Sequence, residues 1–259
     1  MRAAVGSLAS RARVLTGTRP GASSNRNVGW RDAQAPLVLF IDNDTIPHPR
    51  LVAEHLEWHR RYPDPKIGVL GHVRWADEVR VTPFMHWLDH GMQFDYPNID
   101  GIEAGWGRFY SANASVKKET LELVDGFDEE NLPYLYEDLD LAYRASAHGF
   151  KLLYNRAAEV EHLRTMDLAF WRAKMPRLAA AERAFTKLHP EIEPFFLNRF
   201  RSAARAAPAT GRGRHLIRHL PRWTPLIGER VWLSADVYYR QVLASDFLGA
   251  WKAGESERR

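Results

Sequence analysis

The chain has 259 residues, 45% of them apolar and nine of them tryptophan, enough for one large core or a medium domain with an appendage. It contains no cysteine, which excludes disulfides, thiolate metal sites and cysteine nucleophiles, and no window nears the ~18 apolar residues of a membrane span. A net charge of +4 conceals a split: residues 1–163 hold 18 Lys/Arg against 23 Asp/Glu, and residues 164–259 hold 18 against 9.

The basic opening, "MRAAVGSLASRARVLTGTRP", has no acid before Asp32, yet its longest apolar stretch is too short for a secretory leader. "GASSNRNVGWRDA" predicts a helix opened by the small and polar residues Gly21 to Ser24. "LVLFID" is an apolar run after Pro36, the pattern of a strand covered on both faces. In "RLVAEHLEWHRRY", Leu51, His55 or Leu56, and Trp58 or His59 recur at helical spacing, and Pro63 and Pro65 stop the helix. "KIGVLGHVRW" predicts another strand, and residues 78–107 a long irregular excursion over one end of a sheet.

"RFYSANASV" is strand-like, "KKETLELVDG" a short helix ended by Gly126, and "YEDLDLAYRASAHGF" a helix running from its acids to Gly149. "KLLYN" and "AEVEHL" predict two short strands. This alternation gives an α/β layer fold with a largely parallel sheet. Beyond Arg164 only helices are expected, in "AFWRAKMPRLAAAERAFTKLH" and "PLIGERVWLSADVYYRQVLASDFLGAW", separated by the loop "RAAPATGRGR". The division falls at residues 1–165 and 166–259.

Candidate chemistry starts at Asp42 and Asp44, where the apolar strand gives out. In open α/β sheets that edge is where ligands bind. Two carboxylates ~4 Å apart repel by roughly 4 kcal/mol at an effective dielectric of 20, and a divalent cation is the simplest offset. The bland alternative is a turn, since Asp favours loop starts. Glu137, Asp138 and Asp140 form a second acidic set at a predicted helix start, where dipole stabilisation is commonplace but three acids in four residues exceed it. One of Glu137 and Asp138 is a candidate general base, whereas Asp140 reads as surface capping. His162, in "VEHL", has no special weight by spacing.

The ordered set "GASSNRNVGW", "VLFIDNDTIPHP", "FYSANASVKKETLELVDGFDE", "YEDLDLAYRASAHGFKLLY" and "AEVEHL" resembles the family 2 glycosyltransferases of the GT-A fold, from about Gly21 to His162. The resemblance implies a Rossmann-type, mostly parallel sheet flanked by helices and transfer from a nucleotide-diphosphate sugar, with inversion and with Mn2+ or Mg2+. It places Asp42, Asp44 and His162 at the metal, Asp138 with Glu137 beside the acceptor hydroxyl, and Arg26, Asn27, Asp42, Asn113 and Trp106 around donor or acceptor. It further implies that "ARVLTGTRPGASSNRN" is a third strand leading into a helix, and that the family's first strands have no counterpart in residues 1–20.

The expected partners are a nucleotide-sugar donor and a glycan or lipid-linked acceptor at a cytoplasmic location, with peripheral contact at the inner face of the membrane through the basic helices. Trp223, Trp232, Tyr238, Tyr239, Phe247 and Trp251, interleaved with Arg218, Arg222, Arg230 and Arg240, suit such an interfacial helix, or else a helix packed back with its aromatics inward. No recognised motif supports nucleic-acid binding. Two other functions fit parts of the sequence. "LFIDNDTI" superficially resembles the aspartate-nucleophile phosphatases, although Thr45 falls one place early and no lysine motif follows. A non-catalytic remnant with a membrane- or partner-binding tail is the other.

Overall fold

The computed structural model describes residues 12–220 and 222–256. Helix α1 (Ala22–Asp32) leads into β1 (Leu37–Ile41), β2 (Thr45–Pro47), α2 (Leu51–Arg61) and β3 (Ile67–Trp75). A short helix α3 (Pro83–Leu88) lies in the irregular excursion, which ends at β4 (Asn113–Lys117) and α4 (Lys118–Leu123). Helix α5 (Glu137–Ser146) and β5 (Lys151–His162) close the α/β part, followed by α6 (Leu168–Leu188), α7 (Phe195–Arg205) and α8 (Gly228–Ser256). No described helix is long and apolar enough to cross a membrane.

The five strands lie in the order β1-β4-β3-β5-β2, flanked by helices, which is the α/β class expected from the sequence. The sheet is mixed rather than largely parallel. Only β3 and β5 pair in parallel; β4 runs against both its neighbours and β2 against β5. The reason is local. The excursion leaves from the carboxyl end of β3 and returns at Asn113, opposite Ile41 at the carboxyl end of β1, so β4 must run back. "KLLYN" and "AEVEHL" form one continuous strand, because β5 stays paired with β3 through a register shift at Gly71/His72.

The third strand expected from "ARVLTGTRP" is absent from residues 12–20, and the remainder of that opening lies outside the described residues. Backbone there is spent on α1 instead: Gly17 N–H donates to Asn25 Oδ1 (2.8 Å) and Arg19 N–H to Ser24 Oγ (3.1 Å).

Strand β1 buries Val38 and Phe40 with Trp30, Phe127 and Leu141, while Leu39 packs on the opposite side with Leu51, Val73 and Val160. Both faces are thus covered, as the unbroken apolar run requires. The buried face of α2 is Leu51, His55 and His59, and the two histidines enter a polar chain beneath the sheet. His59 Nε2 bonds Ser115 Oγ (2.9 Å), Ser115 Oγ bonds His55 Nδ1 (2.7 Å), and His55 Nε2 meets Asn113 Oδ1 (3.0 Å). Asn113 Nδ2 donates to His72 O (3.0 Å) and Ala158 O (2.8 Å), so both histidines donate from Nε2 and stay neutral. Burial depresses the pKa of both, that of His59 to about 4.

The helical segment does not stand apart. Trp171, Met175, Phe185, Phe200, Trp232, Tyr239, Phe247 and Trp251 share one apolar cluster with Trp75, Phe84, Trp87, Leu132 and Tyr136. Along the body of α8 the packed-back alternative holds: four of the six named aromatics, Trp232, Tyr239, Phe247 and Trp251, are buried and face inward, whereas Trp223, before the helix, is exposed. Arg240 is tied to Asp236 one turn before it.

Candidate active site

Strand ends set the site. β1, β3 and β5 all finish on one edge, at Ile41, Trp75 and His162. The register Thr45↔His162 then fixes Asp44 beside His162, with Leu163 N–H donating to Asp44 O (2.9 Å). His162 Nε2 lies 3.8 Å from Asp44 Oδ1, and Arg164 Nη1 lies 3.9 Å from Asp44 Oδ2. Across the edge, Arg26 from α1 stands between two acids, with Nη1 2.5 Å from Glu137 Oε1 and Nη2 3.5 Å from Asp42 Oδ1. Burial works against the Arg26 charge, but Glu137, Asp138 and Asp42 outweigh it and raise its pKa.

Each strand-end acid has polar neighbours of its own. Asp42 faces Arg26, and Asp44 faces His162 and Arg164. Among the described residues no group of three His, Asp or Glu side chains is arranged to hold an ion, so Asp42, Asp44 and His162 do not form one cage. His162 Nδ1 accepts from Arg164 N–H (3.1 Å), which puts the neutral ring's proton on Nε2, the atom turned toward Asp44. A ligand would need a lone pair there.

Helix α5 opens under strain. Leu135 and Tyr136 both sit in the left-handed region, at φ 63° and 64°, a cost of order 1–3 kcal/mol each for non-glycine residues. Tyr136 is locked by its hydroxyl donating to Glu182 Oε1 (2.5 Å), and Glu182 also accepts from Phe196 N–H (2.7 Å) and Leu197 N–H (2.8 Å) at the start of α7. This hold presents Glu137 and Asp138 to different partners. Glu137 is buried on Arg26 with its Oε2 unpartnered, whereas Asp138 lines a cavity of about 410 Å³. Burial, followed by the Glu137 charge, pushes the Asp138 carboxyl up to about 7, against Arg26 and the N–H groups of Ser111 and Leu139. Asp140 is no surface cap: it is buried between Arg144 Nε (2.8 Å) and His189 Nε2 (2.7 Å).

Of the remaining expected residues, Trp106 lines the Asp138 cavity, edge-on to Tyr143 at 5.0 Å. Asn113 does not, being wholly buried in the polar chain under the sheet. Asn27 is also committed elsewhere, bonding Phe127 O (2.9 Å), Glu129 Oε1 (2.7 Å), Trp30 Nε1 (2.8 Å) and Phe127 N (2.9 Å). Sequence reasoning missed the far wall of the cavity, built from Trp171, Lys174, Phe185 and Phe196 of the helical segment. Burial lowers the Lys174 pKa while Asp138 and Glu137 oppose that shift. No spacing signal marks these residues, because they meet Asp138 only through tertiary packing.

A family model described as glycosyltransferase-like family 2 matches residues 1–181. The chain belongs to that family. The assignment displaces the phosphatase alternative. This family 2 chain is 26% identical over 205 residues to a validoxylamine A glucosyltransferase of Streptomyces hygroscopicus subsp. jinggangensis (strain 5008), covering 66% of this chain and 46% of the relative. It thus spans under half the length of the curated relatives it matches. Among solved structures it is similar to the mannosyltransferase PcManGT from Pyrobaculum calidifontis in complex with GDP-Man and Mn2+, at 15% identity and a TM-score of 0.43 over 92% of this chain and 55% of that one. It is also similar to S. aureus TarS, at 13% identity and a TM-score of 0.41 over 92% and 72% of the two chains.

Proposed function

We propose that this family 2 chain transfers a sugar from a nucleotide-diphosphate donor to an acceptor hydroxyl by single displacement with inversion at the anomeric carbon. The observation that carries the reading is Asp138: a carboxyl with a pKa near 7, at the wall of a cavity, behind the carboxyl edge of the sheet. A base poised there accepts the acceptor's proton at neutral pH as the new C–O bond forms and the bond to the diphosphate breaks. Glu137 acts through Arg26, holding its guanidinium in the gap beside Asp42, where a diphosphate would be met by positive charge.

A magnesium or manganese ion, when bound, neutralises charge on the departing diphosphate. Hard cations of this kind are commonly held by one or two carboxylates plus substrate phosphates, so Asp44 suffices as the protein's donor and Asp42 is the second candidate. His162 is assigned a positioning role on Asp44. The helical segment 166–259 supplies the cavity's far wall for the acceptor, and residues 1–165 supply the sheet edge. Trp106, half-buried at the cavity wall, offers an aromatic face of the kind on which sugar rings pack.

The relative's name supplies first probes: nucleotide-linked glucose donors with validoxylamine A as acceptor, extended to a panel of sugars. Product with inverted configuration and a rate that falls below about pH 7 supports the reading. A folded, nucleotide-binding chain that forms no product with any donor in the panel supports the non-catalytic alternative.

A further inference from the structure

We propose that the turn at residues 222–227, with the first turns of α8, is a membrane-docking wedge for an anionic lipid surface. Four large apolar side chains cluster there in solvent: Trp223 is 82% exposed, Leu226 90%, Ile227 55% and Leu233 61%. Exposure at this level, in one short stretch, differs from the scattered surface hydrophobics of an ordinary fold. Trp232, by contrast, is turned inward against the rings of His86 (5.3 Å) and His90 (4.6 Å) and donates from Nε1 to Leu220 O (2.9 Å).

The turn is held in this outward form. Ile227 N–H donates to Pro225 O (2.8 Å), Gly228 N–H to Thr224 O (3.0 Å), and Leu226 lies at φ 67°, a strained region for a leucine. Charge selects the occupant. Residues 212–233 carry five arginines and one acid, Glu229. Arg218, Arg222 and Arg230 are exposed, with no ion pair among the described residues. Exposed apolar tips flanked along the chain by arginines without an ion pair match the acyl boundary and headgroups of an anionic bilayer. A second copy of the chain would bring like charge against like.

The test is flotation of the full chain with phosphatidylcholine vesicles, with and without phosphatidylglycerol, and needs neither donor nor acceptor. A failure here leaves the transfer reading standing, and a failed transfer assay leaves this one standing. Binding is expected only with phosphatidylglycerol. Trp223→Ser and Leu226→Ser are each expected to weaken it about tenfold, from the apolar area withdrawn. Each of Arg218→Gln, Arg222→Gln and Arg230→Gln is expected to weaken it about fivefold. These positions are exposed, so circular dichroism should stay unchanged. No binding, binding indifferent to anionic lipid, or loss of the patch into a homodimer on light scattering would each overturn the proposal.

Discussion

Asn113→Ala should cost stability rather than ligand affinity. The wild-type amide joins three elements at the point where the β3–β5 register shifts. It donates to His72 O and Ala158 O and accepts from His55 Nε2, at 3.0, 2.8 and 3.0 Å. Alanine leaves two carbonyls and one imidazole N–H unpaired in a site with no solvent exposure. Each orphaned buried group costs about 1–3 kcal/mol, so the sum is about 4 kcal/mol once partial relaxation is allowed. Urea unfolding followed by tryptophan fluorescence should show the midpoint fall by more than about 1 M. Gly71→Ala attacks the same junction, since its Cβ would strike Asn113 Nδ2 and Ala158 O, and the two losses should be less than additive. An Asn113→Ala protein within about 1 kcal/mol of wild type, with nucleotide affinity lost, would refute this reasoning and return Asn113 to the donor site.

Other outcomes follow from single contacts. Arg26→Met strands Glu137, whose carboxylate is buried, and should destabilise by about 2 kcal/mol while weakening diphosphate binding; paired calorimetric melts with and without nucleotide would separate the two. His59, depressed to about 4 by burial, contributes stability that is full above pH 6.5 and drains away as pH falls toward 4, about 3 kcal/mol in all. His59→Gln removes that titration, so its urea midpoint should vary less across this window; a variant with the wild-type slope would contradict the assignment. Asp89, pushed up to about 7 by burial against its bond from Trp75 Nε1, works oppositely: its contribution is full below pH 3.8 and is lost as pH rises through 7. Asp89→Asn should therefore gain on wild type as pH rises from 4 to 7, and hold that gain above 7, in the same melts. Glu182→Ala should lower activity and stability together, because it frees Tyr136 and the start of α7; a loss of either alone would speak against the latch.

How much was legible in the sequence depended on whether the cause was local. Helix α2 followed from apolar spacing, and α5 from its acids and Gly149, because capping and periodicity act over a few residues. β1 was legible for the same reason. The direction of β4 was not, since it depends on where an excursion of more than thirty residues comes down. Asp44 beside His162 is a register fact, Thr45 opposite His162, which no string of residues displays. Asn113 and Asn27 were legible as polar residues in telling motifs, but the sequence could not say that their amides are consumed by Ala158, His72, Phe127 and Glu129. The arginine-and-aromatic pattern of α8 was ambiguous between burial and interface, and the packing of Trp232, Phe247 and Trp251 decided for burial. Lys174 and Phe185 gave no signal at all.

The most direct test is Asp138→Asn assayed for nucleotide-sugar binding and for transfer in the same preparation. The amide keeps the shape of the cavity wall but cannot take a proton, so binding should persist while transfer falls by about 10²–10⁴-fold. Transfer within about threefold of wild type, at any pH between 6 and 8, would contradict the account.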